Sequence, residues 1–583
     1  MNVAEFILAN IRKLGTDTAF CLTGGMAMHI NRAADDAAGL RVIYCNHEQA
    51  VAAAADGYAK ARGYVVPGLA IVTSGPGVTN TITSVASAYY DSVPMFVLAG
   101  QVKRADINAH DVRSRGAQET PQIELMQAVT KCAFRYVPSE IDDDALAARL
   151  AQAVTGRKGP VFVEIPLDVQ AETVPDAEAR LDRIATRIRA LAAQPGQAAG
   201  EAASAIAQAL QSARQPLLVV GNALRIAGIG RESIKRLVEK IGVPTLFTWA
   251  SFDLLEHAHP LNFGCAGGLA PTHSNRILQS ADCIVFLGTR LDLLTTAFNP
   301  ENYGRNAKRI VVELDDKEIQ KNEGLSNTAF FRADVAPVVA GLLSRDIAVE
   351  CAGWLAQCKA WLAEDRENEE AAFGDTRLTT YQISRVLSAS RLGNYVVPTA
   401  SGFAIEGIAR FFRPAQGATF AWAGHVLGSM GLGLPTAIGA AAALKRPIVC
   451  LEGDGGLLLN VQELFTLAAN PDLPLTIVVL NNGGYQSIIR SQTRTFQKEF
   501  GASSASGLCT VRFDQLAALA GLAYERCETL AGLEASLNSG RTRRLIDVMV
   551  EEDGYRGPAV MTKFDENGKP YSTDIADVSW ERL

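Results

Sequence analysis

The chain has 583 residues, of which 48% are hydrophobic and 20% charged, so it has the composition of a globular protein long enough for about three domains. Its net charge of −7 gives no sign of nucleic-acid or membrane-surface binding, and no apolar run of about 18 residues predicts a membrane span. The 10 cysteines are scattered and no signal peptide is recognised, which predicts a cytoplasmic protein with reduced thiols.

Strand and helix signals alternate through the first third of the chain, as in a parallel sheet covered by helices. Apolar runs predict strands at 19–22, 41–45, 68–73, 94–99 and 160–166. The glycine-rich turn Ser74-Gly75-Pro76-Gly77 lacks the Lys-Ser/Thr pair of a P-loop. We expect a first domain over residues 1–175, followed by a connector formed by Pro175–Arg189 and Gln194–Gln197.

Glu48 stands where the strand at 41–45 passes into an Ala-rich helix. A Glu in the first turn of a helix often does no more than complement the helix dipole. Ala50–Ala55, however, make the start of this helix apolar, and a carboxyl in dry surroundings can hold or deliver a proton. On the residues alone, both interpretations stay open.

The middle of the chain repeats the alternation, with apolar runs at 216–220, 281–287 and 309–314. Several glycines and polar residues stand at the strand ends and turns. Individually they carry little weight, because any α/β domain has glycine at strand ends. We expect a central domain over residues 195–345, and a charged helix around Glu364–Glu370 as the second connector.

The last domain, expected over residues 370–555 before a tail at 556–583, contains the most informative motif. A predicted strand at 447–451 leads into Gly453-Asp454-Gly455, and another at 475–480 leads into Asn481-Asn482. A lone Gly-Asp-Gly is usually only a turn. Two neighbouring parallel strands, however, would present Asp454 and Asn482 together at the edge where α/β folds bind ligands. Because these oxygens suit Mg²⁺ with phosphate, we predict a magnesium–diphosphate site.

The Gly-Asp-Gly and Asn-Asn pair resembles the thiamin-diphosphate-binding motif of a large enzyme family. This resemblance implies that Asp454, Asn482 and the carbonyl oxygen of Gly484 bind Mg²⁺. The segment His47-Glu48-Gln49-Ala50, with Asp56-Gly57-Tyr58-Ala59 after it, resembles the pyrimidine-binding signature of the same family. By that resemblance Glu48 bonds N1′ of the aminopyrimidine and promotes the imino tautomer, which takes the proton from C2 of the thiazolium ring.

The glycine-rich segment at 422–435 also resembles this family. It implies that the Gly428 carbonyl accepts from the 4′-amino group and that Met430 is a wedge beneath the cofactor. On residues alone, the glycines could serve close helix–sheet packing and Met430 could be core filler. The further residues that the resemblance places at thiamin diphosphate are Gly25, Asn80, Gly402, Phe403, Gly453, Gly455, Gly456 and Tyr485.

The middle domain resembles the FAD-binding domain of acetolactate synthase catalytic subunits, and the resemblance to these subunits covers essentially the whole chain. In that family the flavin takes no net redox part. Gln118 would lie near both flavin and substrate. The residues implied for FAD are Gly221, Gly267, Gly288, Thr289, Arg290 and Glu313.

Three positions depart from the acetolactate synthase pattern. Ala117 and Ser491 replace a Phe and a Trp, and Thr399–Ala404 lacks the usual acid and Gln-His pair. The segments at 482–488 and 506–508 look more like carboligases of polysaccharide and secondary-metabolite pathways. We therefore expect an enzyme that decarboxylates a 2-oxo acid, with pyruvate as the expected donor. It would transfer the two-carbon unit to a carbonyl acceptor, which could be a larger ketone or keto-sugar.

Other functions stay open at this point. They are a true acetolactate synthase of branched-chain amino acid synthesis, a decarboxylase of a 2-oxo acid or acyl-CoA, and a catalytically silent regulatory protein. The resemblance implies that one subunit holds the pyrimidine and another the diphosphate. We therefore expect a homodimer at least, within a homotetramer, and leave a regulatory subunit open.

Overall fold

The computed structural model describes residues 1–109, 112–192, 198–551 and 557–580. Within these residues, three six-stranded sheets follow one another along the chain, and all strand pairs in them are parallel. Apolar strands alternate with helices that cover the sheets, as parallel pairing requires. The predicted α/β class with three successive sheets is confirmed.

The first sheet has strands β1 (Thr18–Cys21), β2 (Arg41–Tyr44), β3 (Gly68–Val72), β4 (Met95–Gln101), β5 (Cys132–Arg135) and β6 (Pro160–Pro166). Their order is β2-β1-β3-β4-β6-β5. The helices here are α1 (Val3–Arg12), α2 (Met28–Asp36), α3 (Glu48–Ala61), α4 (Pro76–Thr79), α5 (Ile82–Tyr90), α6 (Gln122–Gln127), α7 (Asp143–Ala151), α8 (Leu167–Gln170) and α9 (Ala177–Ala192). Much of the segment predicted as a connector is α9, which buries Leu181, Ile184 and Ile188 in the first core. The rest of that connector, Gln194–Gln197, lies outside the described residues.

The second sheet has strands β7 (Pro216–Val220), β8 (Thr245–Phe247), β9 (Asn262–Cys265), β10 (Cys283–Leu287), β11 (Lys308–Glu313) and β12 (Thr328–Arg332). Its helices are α10 (Ala199–Ser212), α11 (Ala223–Ile226), α12 (Arg231–Ile241), α13 (Thr272–Ser280), α14 (Asp316–Asn322) and α15 (Val335–Ser344). The strand order β9-β8-β7-β10-β11-β12 is that of doubly wound dinucleotide-binding sheets. Such sheets bind ligands where the winding reverses, which is here between β7 and β10.

The third sheet has strands β13 (Tyr395–Pro398), β14 (Thr419–Phe420), β15 (Ile448–Gly453), β16 (Leu475–Asn481), β17 (Ala523–Cys527) and β18 (Arg544–Met549). Its helices are α16 (Ala352–Phe373), α17 (Thr380–Ala389), α18 (Phe403–Phe411), α19 (Gly433–Leu444), α20 (Asp454–Leu457), α21 (Glu463–Ala469), α22 (Gln486–Phe496), α23 (Phe513–Leu519) and α24 (Leu530–Asn538). The order β14-β13-β15-β16-β18-β17 repeats the winding of the first sheet. It reverses between β13 and β15.

Short 3₁₀ helices complete the described chain at Gly25–Ala27, Arg104–Asp106, Phe252–Leu254, Arg391–Asn394, Leu458–Asn460, Ser504–Ser506 and Ile575–Asp577. Beyond the third sheet, β19 (Thr562–Phe564) pairs antiparallel with β20 (Pro570–Ser572). This end of the chain lies along the middle domain, where Val560 N donates to Gly268 O at 2.8 Å. No helix in the described ranges is long and apolar enough to cross a membrane.

Helices α3 and α19 join the first and third sheets at very close range. A Cβ built on Gly57 would lie 1.9 Å from the carbonyl oxygen of Thr436, and one built on Gly439 would lie 1.9 Å from that of Ala54. Only glycine allows this approach, because the obstacle is backbone. The packing fixes the start of α3, where Glu48 lies, relative to the glycine-rich segment that precedes α19.

Candidate active site

Asp454 lies at the carboxyl end of β15, next to the end of β16. Its Oδ1 accepts from Gly455 N at 2.7 Å and its Oδ2 accepts from Gly484 N at 2.8 Å. Burial raises the pKa of this carboxyl, although the backbone amides around it act in the opposite direction. Among the described ion pairs none includes Asp454. A partly buried carboxylate without a cationic partner fits a site for a divalent cation.

The two asparagines at the end of β16 have different surroundings. Asn481 donates from Nδ2 to Asp547 Oδ1 on β18 at 3.0 Å, so its side chain is engaged within the sheet. Asn482 stands one residue further out, and its backbone lies close to the Asp454 carboxyl. We call Asp454, Asn482 and Gly484 together the cation corner. Gly484 has φ +128°, and a Cβ there would lie 2.4 Å from the carbonyl oxygen of Ala502. The chain can therefore turn back against Asp454 only with glycine at this position.

Four glycines predicted for thiamin diphosphate lie around the same corner, on both sides of the winding reversal between β13 and β15. Gly402, with φ +127°, precedes α18, whose first residue is Phe403. Gly453 precedes α20, and its Cβ position is open. A Cβ on Gly455 would lie 2.2 Å from the Tyr485 ring, and one on Gly456 2.7 Å from Glu452 Oε2. At this corner the backbone of Gly453 is open to a ligand, whereas Gly455 and Gly456 are packed closely against neighbouring side chains. Such an arrangement suits the binding of an anion by backbone amides.

The segment at 422–432 approaches this corner from the α19 side. Gly428 has φ +69° and an open Cβ position, and Met430 two residues later is partly buried. Thr399 Oγ1 donates to Ser429 O at 3.3 Å, which ties the segment to the end of β13. The backbone of Gly428 is thus accessible to a ligand.

Glu48 is the first residue of α3, and its neighbours hold it in place. His47 caps the helix, because its Nδ1 accepts from Gln49 N at 3.1 Å. Asn80 Nδ2 donates to Glu48 Oε2 at 2.9 Å, which leaves Oε1 for another partner. Glu48 is only half-buried and Asn80 is exposed, so the dry surroundings expected for this carboxyl are not formed by the single chain. Gly25, which begins the 3₁₀ helix after β1, also has an open Cβ position.

Gln118 lies in an exposed turn with φ +64°, a backbone conformation that non-glycine residues seldom adopt. It crosses Gly75 so closely that a Cβ on Gly75 would lie 2.9 Å from its Cα. Gln122 supports this arrangement, because its Oε1 accepts from Gly75 N at 3.1 Å and its Nε2 donates to Glu164 Oε2 at 2.8 Å. Gln122 was not predicted from the sequence, since nothing in its neighbours along the chain indicates a buried polar link.

A cavity of about 340 Å³ lies where the first, middle and last parts of the chain meet. Its wall contains Gly288, Thr289, Arg290 and Glu313, whereas Gly221 and Gly267 lie outside the wall. Gly221 nevertheless shapes the cavity edge, because a Cβ there would lie 2.0 Å from the carbonyl oxygen of Gly288. This contact joins the ends of β7 and β10, where the winding reverses.

Two polar atoms in the cavity wall have no partner among the described residues. Thr289 Oγ1 and Asn222 Oδ1 are buried there without a hydrogen bond, which is costly unless a ligand supplies one. Glu313 Oε1 accepts from Leu314 N at 2.8 Å and from Asp315 N at 3.0 Å. Burial raises the pKa of Glu313. The wall therefore fits a polar, nucleotide-like ligand with hydroxyl groups.

Comparisons with known proteins match all three parts of the chain. Residues 1–130, 203–342 and 402–548 match the N-terminal, central and C-terminal domains of thiamine pyrophosphate enzymes. Acetolactate synthase isozyme 1 large subunit of Escherichia coli is 30% identical over 542 residues, which cover 90% of this chain and 89% of that protein. Acetolactate synthase 1, chloroplastic, of Nicotiana tabacum is 30% identical over 507 residues, covering 85% and 72%. The chain belongs to the thiamine pyrophosphate enzyme family and resembles acetolactate synthase catalytic subunits.

Proposed function

We propose that this enzyme is a carboligase that decarboxylates a 2-oxo acid, with pyruvate as donor, and transfers the two-carbon unit to a carbonyl acceptor larger than pyruvate. The observation that carries the proposal is the presence of two half-sites in one chain, which we infer to meet across two subunits. Asp454 beside Asn482 offers a cation corner, and Glu48 held by Asn80 offers a carboxylate for a ring nitrogen. Similarity to acetolactate synthases supports the reaction type.

Magnesium would be held by Asp454, Asn482 and the carbonyl oxygen of Gly484, and the neighbouring glycines would receive the diphosphate. Thiamin diphosphate supplies the electron sink for decarboxylation and carbon–carbon bond formation. Glu48 would hold the proton shared with the pyrimidine nitrogen through its free Oε1. Asn80 fixes the direction of that carboxylate, because Oε2 already accepts its amide.

Glu48→Gln tests this role, because glutamine keeps the shape of the side chain but cannot take up the proton. We expect pyruvate consumption to fall by at least about 100-fold, the range typical of a lost acid–base group, while thiamin diphosphate still binds. Unchanged turnover would remove Glu48 from the mechanism. Wild-type protein that binds the cofactor but never consumes a 2-oxo acid would favour the silent regulatory protein.

A second cofactor, FAD, is proposed for the cavity between the three parts of the chain. Support comes from the winding reversal at β7 and β10 and from Thr289 Oγ1 and Asn222 Oδ1, which find no hydrogen-bond partner in the described part of the chain. Arg290 and Glu313 would face the ligand, with Gly221 and Gly288 shaping the edge. Gly267, whose N donates to Asn275 Oδ1 at 3.0 Å, would lie further from the ligand than these residues. A visible flavin absorbance band in purified protein would support FAD, and its absence after reconstitution would oppose it.

The active unit is proposed to be a homodimer, with a homotetramer as the larger assembly. Large apolar side chains are exposed near both half-sites in the single chain, which is typical of surfaces that meet a partner. These side chains are Met28, Tyr44, Leu427, Leu459, Phe465 and Ile488. The exposed Gln118 turn and half-buried Glu48 would be covered by the same contact. Sedimentation at micromolar protein concentration tests it, because a purely monomeric species would contradict the proposal.

The acceptor site is proposed to be wide. Ala117 is exposed beside Gln118, and Ser491 is exposed on α22, where its Oγ donates to Ser487 O at 2.9 Å. Small side chains at both positions would leave room for an acceptor larger than pyruvate. Incubation with pyruvate alone and with candidate ketones tests this. Efficient acetolactate formation without gain from added ketones would favour a true acetolactate synthase, and release of aldehyde alone would favour a decarboxylase.

A further inference from the structure

Three charged side chains form a buried cluster beside the cavity, and two of them, Lys60 and Asp91, line it. Lys60 Nζ lies 2.8 Å from Asp56 Oδ2 and 3.0 Å from Asp91 Oδ2, and these side chains are only 3%, 3% and 7% exposed. Burial raises the pKa of Asp56 to about 6, and its Oδ1 has no hydrogen-bond partner within the described ranges. Burial acts in the same direction on Asp91, but Lys60 and the backbone amides hold the pKa of that carboxyl below its usual range.

The cluster forms hydrogen bonds with the backbone of the segment that leads to Gly428 and Met430. Lys60 Nζ donates to Trp422 O at 2.8 Å, so all three ammonium protons have acceptors. Asp91 accepts from His425 N on Oδ2 at 3.0 Å and from Val426 N on Oδ1 at 3.1 Å. Both carboxylate oxygens of Asp91 therefore point at successive backbone amides, which fixes the direction of the chain two residues before Gly428.

The same residues form part of the cavity wall. Lys60, Asp91, Trp422, His425 and Val426 all line it. The His425 ring lies 5.3 Å from the Trp422 ring, and Trp422 Nε1 donates to Trp249 O of the middle domain at 2.8 Å. A ligand that fills the cavity would thus contact the segment whose next residues are proposed to hold the aminopyrimidine.

A purely structural role does not require charge at this place. Buried ion clusters are often no more stabilising than well-packed apolar side chains, whereas they do select one defined geometry. Here the selected geometry is that of the backbone of residues 422–426. This segment is hydrogen-bonded to Lys60 and Asp91 of the first domain, and it also lines the cavity. The arrangement suits a link between the two ligand sites.

We propose that Lys60 and Asp91 are positioning residues that couple the cavity to the thiamin diphosphate site, so that a ligand in one tightens binding in the other. The inference rests on the proposed function, since it takes FAD as the cavity ligand. FAD bound against residues 422–426 stabilises the placement of Gly428 and Met430. Thiamin diphosphate then binds a segment that is already ordered, and the coupling is reciprocal.

The test titrates cofactor-free protein with thiamin diphosphate at saturating Mg²⁺, with and without saturating FAD, and the reverse titration checks reciprocity. Wild-type protein is expected to bind thiamin diphosphate at least about 5-fold more tightly with FAD, within the usual range of coupling. In Lys60→Met and Asp91→Asn the factor is expected to fall to about one. Asp91→Asn keeps the shape of the side chain, and its use covers the case in which Lys60→Met does not fold.

Arg544→Met is the matched control, because Arg544 is a fully buried cation paired with Glu525 Oε1 at 2.6 Å, away from the cavity. It should keep the wild-type coupling. Independent binding of both cofactors to wild-type protein would overturn this inference and leave the proposed function intact. The same holds if Asp91→Asn retains full coupling. A wild-type protein that binds neither cofactor would overturn both.

Discussion

Replacing Gly57 by Ala inserts a methyl group between α3 and α19, where backbone meets backbone. The new Cβ would lie 1.9 Å from the carbonyl oxygen of Thr436, against an ordinary contact of 3.4–4 Å. The two helices must therefore separate by about 1.5 Å at this point, because no side chain can rotate away. The displacement would reach Glu48, which begins α3.

The magnitude follows from two opposing effects. Overpacking of a well-packed core costs about 1–3 kcal/mol, and a backbone obstacle belongs at the upper end of that range. Alanine gains about 1 kcal/mol over glycine within a helix. Gly57→Ala should therefore lower the local stability of α3 and α19 by about 2 kcal/mol, which corresponds to roughly 30-fold faster amide exchange.

Hydrogen exchange of the α3 and α19 amides measures this change directly, since a chain with three domains need not unfold in one step. Gly353→Ala in α16 is the control, because its Cβ position is open. The Gly353→Ala variant should leave the exchange of the α3 and α19 amides unchanged or slow it slightly. Equal exchange in Gly57→Ala and Gly353→Ala would refute the close-packing argument.

Asp454→Asn should weaken Mg²⁺-dependent thiamin diphosphate binding by more than the roughly 10–100-fold typical of lost outer-shell partners, and unchanged affinity in a titration would contradict the cation corner. Glu313→Ala should weaken FAD binding about 10-fold or more through loss of a charged acceptor, while thiamin diphosphate binding measured without FAD stays the same. Burial, with Arg413 and Arg366 nearby, lowers the pKa of His257 to about 3. Below about pH 6.5 the unfolded chain therefore takes up a proton at this residue, whereas the folded protein does so only near pH 3. Stability should fall as pH drops from about 6.5 towards 3, and His257→Gln should flatten this part of a urea-denaturation series; equal slopes would disprove it.

Much of the fold could be predicted from the sequence because its strands are short apolar runs that end in glycine or polar turns. Neighbouring parallel strands end at the same edge of a sheet, so the sequence also predicted that Asp454 and Asn482 lie close together. β15 and β16 are indeed neighbours in the sheet. The segment predicted as a connector at 175–189 is largely the helix α9. The charged face of α9 dominated its composition, while Leu181 and Ile188 on the other face cover the first core.

Contacts between distant parts of the chain could not be predicted. Asn460 Nδ2 donates to Gln49 Oε1 at 2.9 Å, and Asn46 Nδ2 donates to Thr466 Oγ1 at 2.8 Å, so the last domain holds the start of α3. No local pattern encodes such pairs. In the single chain Glu48 is only half-buried, because the Ala-rich run buries the helix behind that residue and not the carboxyl itself.

The central claim is that Glu48 of one subunit and Asp454 of another serve the same cofactor. Mixing the inactive variants Glu48→Gln and Asp454→Asn, with subunit exchange by mild denaturation and refolding, tests it. A heterodimer would then contain one intact site and one doubly altered site, so activity should return to about one quarter of the wild-type value in an equal mixture. Activity no higher than that of the separate variants, with heterodimers verified by mass spectrometry, would contradict the shared site.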